Sequence, residues 1–129
     1  MSTIAPRTAR RLAVLHRERG AAYVASPVFG KPALAAEARL WIVSSGDAAA
    51  RARARPLQEA MGQTVVDFGD EPGAANAIKL AGNFLLGAAI EAMAEAFTLA
   101  QKLGVPRRQT YEFFTQTSST ASSTVATAS

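Results

Sequence analysis

At 129 residues, 49% hydrophobic and 19% charged, the chain is long enough to bury a core and too apolar for general disorder. It has no cysteine and one histidine, His16, which excludes a disulfide framework and any Cys- or His-paired metal site, and suits a reducing cytoplasm. The formal charge of +4 gathers at Arg7, Arg10, Arg11, Arg17 and Arg19, and again at Arg51, Arg53 and Arg55; with no aromatic residue among these arginines, they read as solvated helix faces and argue against a nucleic-acid surface.

Pro6 suits a first helical turn, and "RTARRLAVLHRER" closed by Gly20 predicts a first helix, with His16 on its surface. The hydroxyls of "STIAP" ahead of it are placed either to cap that helix or to meet a ligand, capping being the simpler role. "AAYVASPVF" predicts a short buried strand that runs into a loop at Gly30, Lys31 and Pro32. Gly30 in that loop would let a backbone approach a ligand closely. "PALAAEA" predicts a brief helix, and "RLWIVSSG" is the clearest strand.

Asp47 is a good N-cap and Gly62 a good C-cap for "AAARARARPLQEAM", a helix that Pro56 should kink or split. "QTVVDFGDE" predicts a third strand, with Phe68 and the earlier Trp41 in the core. Alternating strands and helices with short connections predict parallel pairing in an α/β layer.

From Gly73 about 30 residues follow without a breaker, a helix of roughly 45 Å, longer than a small domain needs. It carries Lys79, Glu91 and Glu95, which argues against a membrane span. Lys79 and Asn83, at i and i+4, share one face of it. A lysine held beside an amide on such a face suits proton transfer, whereas one that snorkels to solvent needs no function. Glu91 and Glu95 mark a solvated or inter-chain face. "PRRQTYEFF" opens a further helix, and the uncharged "TQTSSTASSTVATAS" predicts a flexible tail over 115–129. No GxGxxG and no GxxxxGK[ST] is present.

"STIAP…YVASPVFGKP…LWIVSSGD…PLQEAMGQTVVDFGD…GAANAIKLAGNFLLGAAIEAMAEAFTLAQKLGV", in that order, resembles the β-hydroxyacid dehydrogenases. This group includes 3-hydroxyisobutyrate dehydrogenase and 6-phosphogluconate dehydrogenase-like oxidoreductases. The resemblance runs from Met1 to about Phe114. It implies an α/β fold: the C-terminal part of a Rossmann-type parallel sheet over 1–72, then a long interdomain helix and the start of an all-α domain over 73–114. It implies NAD or NADP as cofactor, a small hydroxy acid, aldehyde or related carbonyl compound as substrate, and a homo-oligomer formed through the long helix.

By the same resemblance Lys79 is the catalytic lysine that exchanges a proton with the substrate hydroxyl, and Asn83 helps hold the substrate there. Thr3 lies near the nicotinamide end of the cofactor, and Phe29, Gly30 and Lys31 fall in the substrate-binding loop. Many members carry a serine where Phe29 stands, so a bulkier or less polar carbonyl or imine compound is the expected substrate. The glycine-rich half of the family's dinucleotide domain is expected ahead of Met1, which makes this chain a fragment, inactive in isolation. A truncated gene or a shifted frame would account for its ends. The alternative is a non-catalytic module that oligomerises through its long helix.

Overall fold

A computed structural model describes the backbone of residues 1–125 and the side-chain surroundings of 1–116. The chain divides into two compact units, Met1–Phe84 and Leu85–Ser129.

In the first unit, helix α1 (Pro6–Arg17) starts on Pro6, whose missing N–H and fixed φ suit that position. Its N-cap is Ala5, with no side-chain cap, so the hydroxyls of Ser2 and Thr3 do not perform the capping expected of them. His16 is exposed, as its place on the helix predicts. The stretch read as one strand is two, β1 (Val24–Ala25) and β2 (Val28–Phe29), separated by Ser26 and the buried Pro27. A five-residue helix α2 (Pro32–Ala36) leads into β3 (Leu40–Gly46). Helix α3 (Ala48–Met61) carries the chain to β4 (Gly62–Asp67).

The sheet is mixed rather than wholly parallel. β3 and β4 pair in parallel, with α3 as the crossover between them. β1 and β2 both pair antiparallel with β3, at Val24↔Gly46, Ala25↔Ser45, Val28↔Ile42 and Phe29↔Trp41. The cause is the link between β2 and β3. A parallel crossover needs about a dozen or more residues, and residues 30–39 are too few, so the chain turns back on itself.

Asp47 caps α3 as expected, its Oδ1 accepting from the Ala50 N–H at 2.8 Å. Pro56 neither splits nor interrupts the helix. It lies on the exposed side with Ala52, whose carbonyl loses its intrahelical donor and is left to water. Gly62 does not cap α3 in a left-handed conformation. At φ −138° and ψ 152° it is the extended first residue of β4.

The two faces of the sheet bury different residues. On the face toward α3, Ile42 is fully buried, and the Gln58 side chain donates to Ser44 Oγ at 3.0 Å and to Ser26 Oγ at 2.6 Å. On the other face Ala25 and Val43 pack with Ala75, and Tyr23 and Phe29 close around them. Burial there pushes the Tyr23 hydroxyl above its ordinary value. Trp41 and Phe68 are not core residues, being 51% and 39% exposed. Trp41 is the one exposed residue of β3, and Phe68 follows the last residue of β4.

Helix α4 (Ala74–Lys102) begins in the first unit, about 44 Å long at 1.5 Å per residue. Its start is knitted into that unit. Ser45 Oγ accepts from the Ala75 N–H at 3.0 Å and donates to the Pro72 carbonyl at 3.3 Å, so a strand residue supplies the helix cap. Gly73 is buried against α1, where a β-carbon would come within 2.9 Å of Pro6 Cβ.

In the second unit the remainder of α4 and helix α5 (Arg107–Val125) are joined through Gly104, at φ +88°. The Tyr111 and Phe97 rings meet edge-on at 6.5 Å. They line an apolar cavity of about 450 Å³ together with Ala92, Met93 and Ala96. By length and composition α4 would suffice to cross a membrane, and Leu85, Leu86, Ile90 and Leu99 on it are at least 60% exposed. α5 runs on through the Ser/Thr-rich segment as far as Val125, where a flexible tail was expected from Thr115. No glycine or proline breaks it after Pro106, and Thr115 Oγ1 bonds back to the Tyr111 carbonyl at 2.8 Å. The last part of that expected tail, residues 126–129, lies outside the described residues.

Candidate active site

The site is built in the first unit, where β2 meets the α4 surface. Antiparallel pairing with β3 delivers Phe29 to the face covered by α4. The ring then lies on α4 at Gly82, where a β-carbon would come within 2.5 Å of Phe29 Cε1 and 2.8 Å of Cζ. Lys79, one turn earlier, holds its ammonium nitrogen 4.1 Å from the centre of the same ring. A cation over an aromatic face at this distance is attracted by the ring quadrupole. Lys79 is therefore half-buried and positioned by the ring, rather than a lysine snorkelling freely into solvent.

Gly30 follows Phe29 at φ +141°, and a β-carbon there would come within 2.8 Å of Leu40 Cδ2, so glycine is needed to turn the chain. Lys31 is exposed at the N-cap position of α2. Asn83 shares the helix face of Lys79 and is exposed, with no side-chain hydrogen bond among the described residues.

Thr3 is exposed, and its neighbour Ser2 is tied to the helix that carries Lys79. Asn76 Nδ2 donates to the Ser2 carbonyl at 3.2 Å, and Asn76 is 1% exposed, with its Oδ1 unpartnered. At i, i+3 and i+7, residues Asn76, Lys79 and Asn83 form one polar stripe along an otherwise apolar helix. Asn76 and Gly82 escaped the sequence reasoning. The stripe spacing was the available signal for Asn76, and nothing short of the fold pointed to Gly82 as a seat for an aromatic ring.

A second constellation lies outside this site. Arg51, 14% exposed, binds Asp67 through Nη1 and Asp70 through Nη2, the latter at 2.5 Å. The Asp67 carboxyl is held below its ordinary value, first by the Gly69 N–H it accepts at 2.7 Å and then by Arg51. The hydrogen bond that Arg51 donates to Asp70 is the largest cause of its being more strongly protonated than usual; Asp67 adds to it, and together they outweigh the opposing effect of burial. Arg10 pairs with Glu71 at 2.8 Å and Arg55 with Glu59 at 2.6 Å, so both basic clusters are partly spent in ion pairs within the chain. A cavity of about 700 Å³ borders Arg10, Arg17, Tyr23, Asp47 and Asp70; its lining does not include Lys79. Among the described residues no group of acidic residues and histidine is placed to hold a metal ion.

Residues 1–69 match the family model described as the NAD binding domain of 6-phosphogluconate dehydrogenase. Residues 73–129 match that of the NAD-binding domain of NADP-dependent 3-hydroxyisobutyrate dehydrogenase. The uncharacterized oxidoreductase YfjR of Bacillus subtilis is 40% identical over 112 residues, which cover 87% of this chain and 39% of that protein. The NAD-dependent L-serine dehydrogenase of Pseudomonas aeruginosa is 38% identical over 117 residues, 91% of this chain and 39% of that one. Among solved structures, 3-hydroxyisobutyrate dehydrogenase of Mycobacterium tuberculosis with L-serine superposes with a TM-score of 0.79 at 35% identity, covering 89% of this chain and 39% of that chain. The chain thus spans about two fifths of the length of these relatives. Its mixed α/β sheet, the long helix and both family matches agree: the chain belongs to the NAD(P)-dependent β-hydroxyacid dehydrogenases.

Proposed function

We propose that this chain supplies the proton-transfer side of an NAD(P)-dependent oxidoreductase that moves hydride between a nicotinamide and a hydroxy or carbonyl compound. The observation that carries the reading is the position of Lys79. It stands half-buried on α4 with the β2 loop against it and the Ser2–Thr3 segment tied one turn earlier by Asn76. When bound, the nicotinamide supplies the hydride acceptor or donor. Lys79 takes or returns the hydroxyl proton, and Asn83, on the same face, holds the substrate oxygen beside it. Gly30 and Lys31 shape the loop that borders the substrate.

The residues present fit one end of the dinucleotide. Thr3 is exposed on a segment anchored to α4, which suits the nicotinamide edge. No glycine-rich turn for a pyrophosphate occurs in the sequence, so the 129 residues alone should bind the cofactor weakly. The domain reading follows: part of a Rossmann domain over 1–72, then an interdomain helix and the start of a helical domain over 73–114. The lack of cysteine suits a reducing cytoplasm.

Titration with NADPH or NADH tests the first part; micromolar binding by the isolated chain would contradict an incomplete site. For the chemistry, a chimera in which the 117 matched residues replace those of the P. aeruginosa enzyme supplies the remainder of the dinucleotide domain. Lys79→Ala in that chimera should lower turnover by about 10²–10⁴-fold, and unchanged turnover would remove Lys79 from the mechanism.

A second reading, self-association through α4, is favoured by its exposed apolar residues, Phe84 at 73% and Leu85 at 67% among them. A monomer at every concentration on a sizing column would dismiss it.

A further inference from the structure

We propose that Phe29, seated on Gly82 and flanked by Trp41, forms an aromatic wall beside Lys79 that selects a substrate with an apolar, preferably aromatic, group next to the reacting carbon. The proposal rests on the dehydrogenase reading of Lys79 and names the substrate class of that site.

The sheet register brings these residues together. Phe29 and Trp41 are antiparallel partners on neighbouring strands, so both side chains rise from the same face, the one α4 covers. Phe29 goes under α4, where the absence of a side chain at Gly82 makes room for its ring. Trp41 remains 51% exposed beside it. A tryptophan half in water on a sheet face carries a large apolar area that nothing in this unit covers.

The chemistry next to Lys79 is one-sided. The ring has no atom that donates a hydrogen bond, so a carboxylate laid against Phe29 would lose hydration on that side and find as partner only Lys79, the group that this reading reserves for the hydroxyl proton. An alkyl or aryl group in the same place buries apolar surface against Phe29 and Trp41. The arrangement therefore fits a ketone, aldehyde or related alcohol with a hydrocarbon substituent better than a small hydroxy acid.

Trp41 is the chain's single tryptophan and reports directly on the wall. Phenylacetone and 3-hydroxyisobutyrate would be titrated into the full 129-residue chain, following amide shifts of Phe29, Lys79 and Gly82 and the indole N–H of Trp41. Phenylacetone should saturate these shifts with an affinity at least about tenfold above that of the hydroxy acid, and Phe29→Ser should abolish the difference. Phe29→Leu, which keeps an apolar wall, should retain ketone binding and thereby separates loss of the wall from loss of the fold. Tighter binding of 3-hydroxyisobutyrate would overturn the substrate class while leaving the dehydrogenase reading intact. No saturation by either ligand would overturn the wall as a binding surface. Loss of turnover in the Lys79→Ala chimera bears on the dehydrogenase reading alone.

Discussion

The ring of Phe29 occupies the volume that a β-carbon on Gly82 would need, the two approaching to 2.5 Å at Cε1. Two opposed effects decide what Gly82→Ala does. Alanine gains about 1 kcal/mol of helix propensity over glycine, while forcing a methyl group into a filled space costs about 1–3 kcal/mol. The clash wins at this separation. Gly82→Ala should lose about 1 kcal/mol of stability on chemical denaturation and release Lys79 from the ring. In a Phe29→Ala background Gly82→Ala should cost less than it does alone, because the first change empties the contested space.

Ser45 caps a helix from a distance in sequence, holding the Ala75 N–H and the Pro72 carbonyl together. Ser45→Ala leaves a buried donor in the first turn of α4 without a partner, at a cost of about 1–2 kcal/mol. Urea denaturation should show a lowered midpoint with an unchanged slope. A midpoint equal to that of the parent chain would mean that water replaces the hydroxyl.

Asp67 links stability to acid. Its folded pKa lies below the ordinary 3.8, so the folded state favours the carboxylate. The stabilisation is complete above the unfolded value and is lost as pH falls through the folded one. Thermal midpoints measured from about pH 6 down to about pH 3 should therefore fall, and Asp67→Asn should flatten the acid limb while lowering the plateau. An identical acid limb in the variant would show that other carboxylates carry the dependence.

Gly46 ends β3 at φ +125°, with a β-carbon placed to fall 2.7 Å from the Tyr23 carbonyl oxygen. Here the backbone conformation and the missing space both exclude a side chain. Gly46→Ala should cost more than about 2 kcal/mol, visible as a large drop in thermal midpoint. Gly20→Ala has open space and serves as the control for backbone conformation alone, since its φ is +71°.

The sequence carried the helices and the family further than it carried the sheet. The limits of α3 and the capping role of Asp47 follow from local chemistry, a cap residue and an uninterrupted helical pattern. The parallel pairing of β3 with β4 was legible; the antiparallel direction of β1 and β2 was not, because it depends on the length of the link after β2, and the broken strand at Ser26 and Pro27 hid where that link begins. Trp41 and Phe68 were expected in the core from residue type. Their exposure depends on how far the neighbouring helices reach, which no local pattern encodes. In the candidate site, Lys79, Asn83 and the β2 loop were legible through spacing and resemblance. The contacts that place them, Phe29 on Gly82 and Asn76 on Ser2, join residues far apart in the chain and emerged only with the fold.

Among the described residues every strand pairing passes through β3: β1 and β2 share one edge, and β4 takes the other. Val43 reaches across the break between β1 and β2, its N–H donating to the Pro27 carbonyl at 3.0 Å. No strand pair can therefore survive the release of residues 40–46. In a hydrogen-exchange experiment the amides of Ile42, Val43 and Ser44 should open only with the whole unit, setting its slowest rates. Among the described residues the segment 24–29 pairs only with β3, so this part of the sheet closes backward onto 24–29 and forward onto β4.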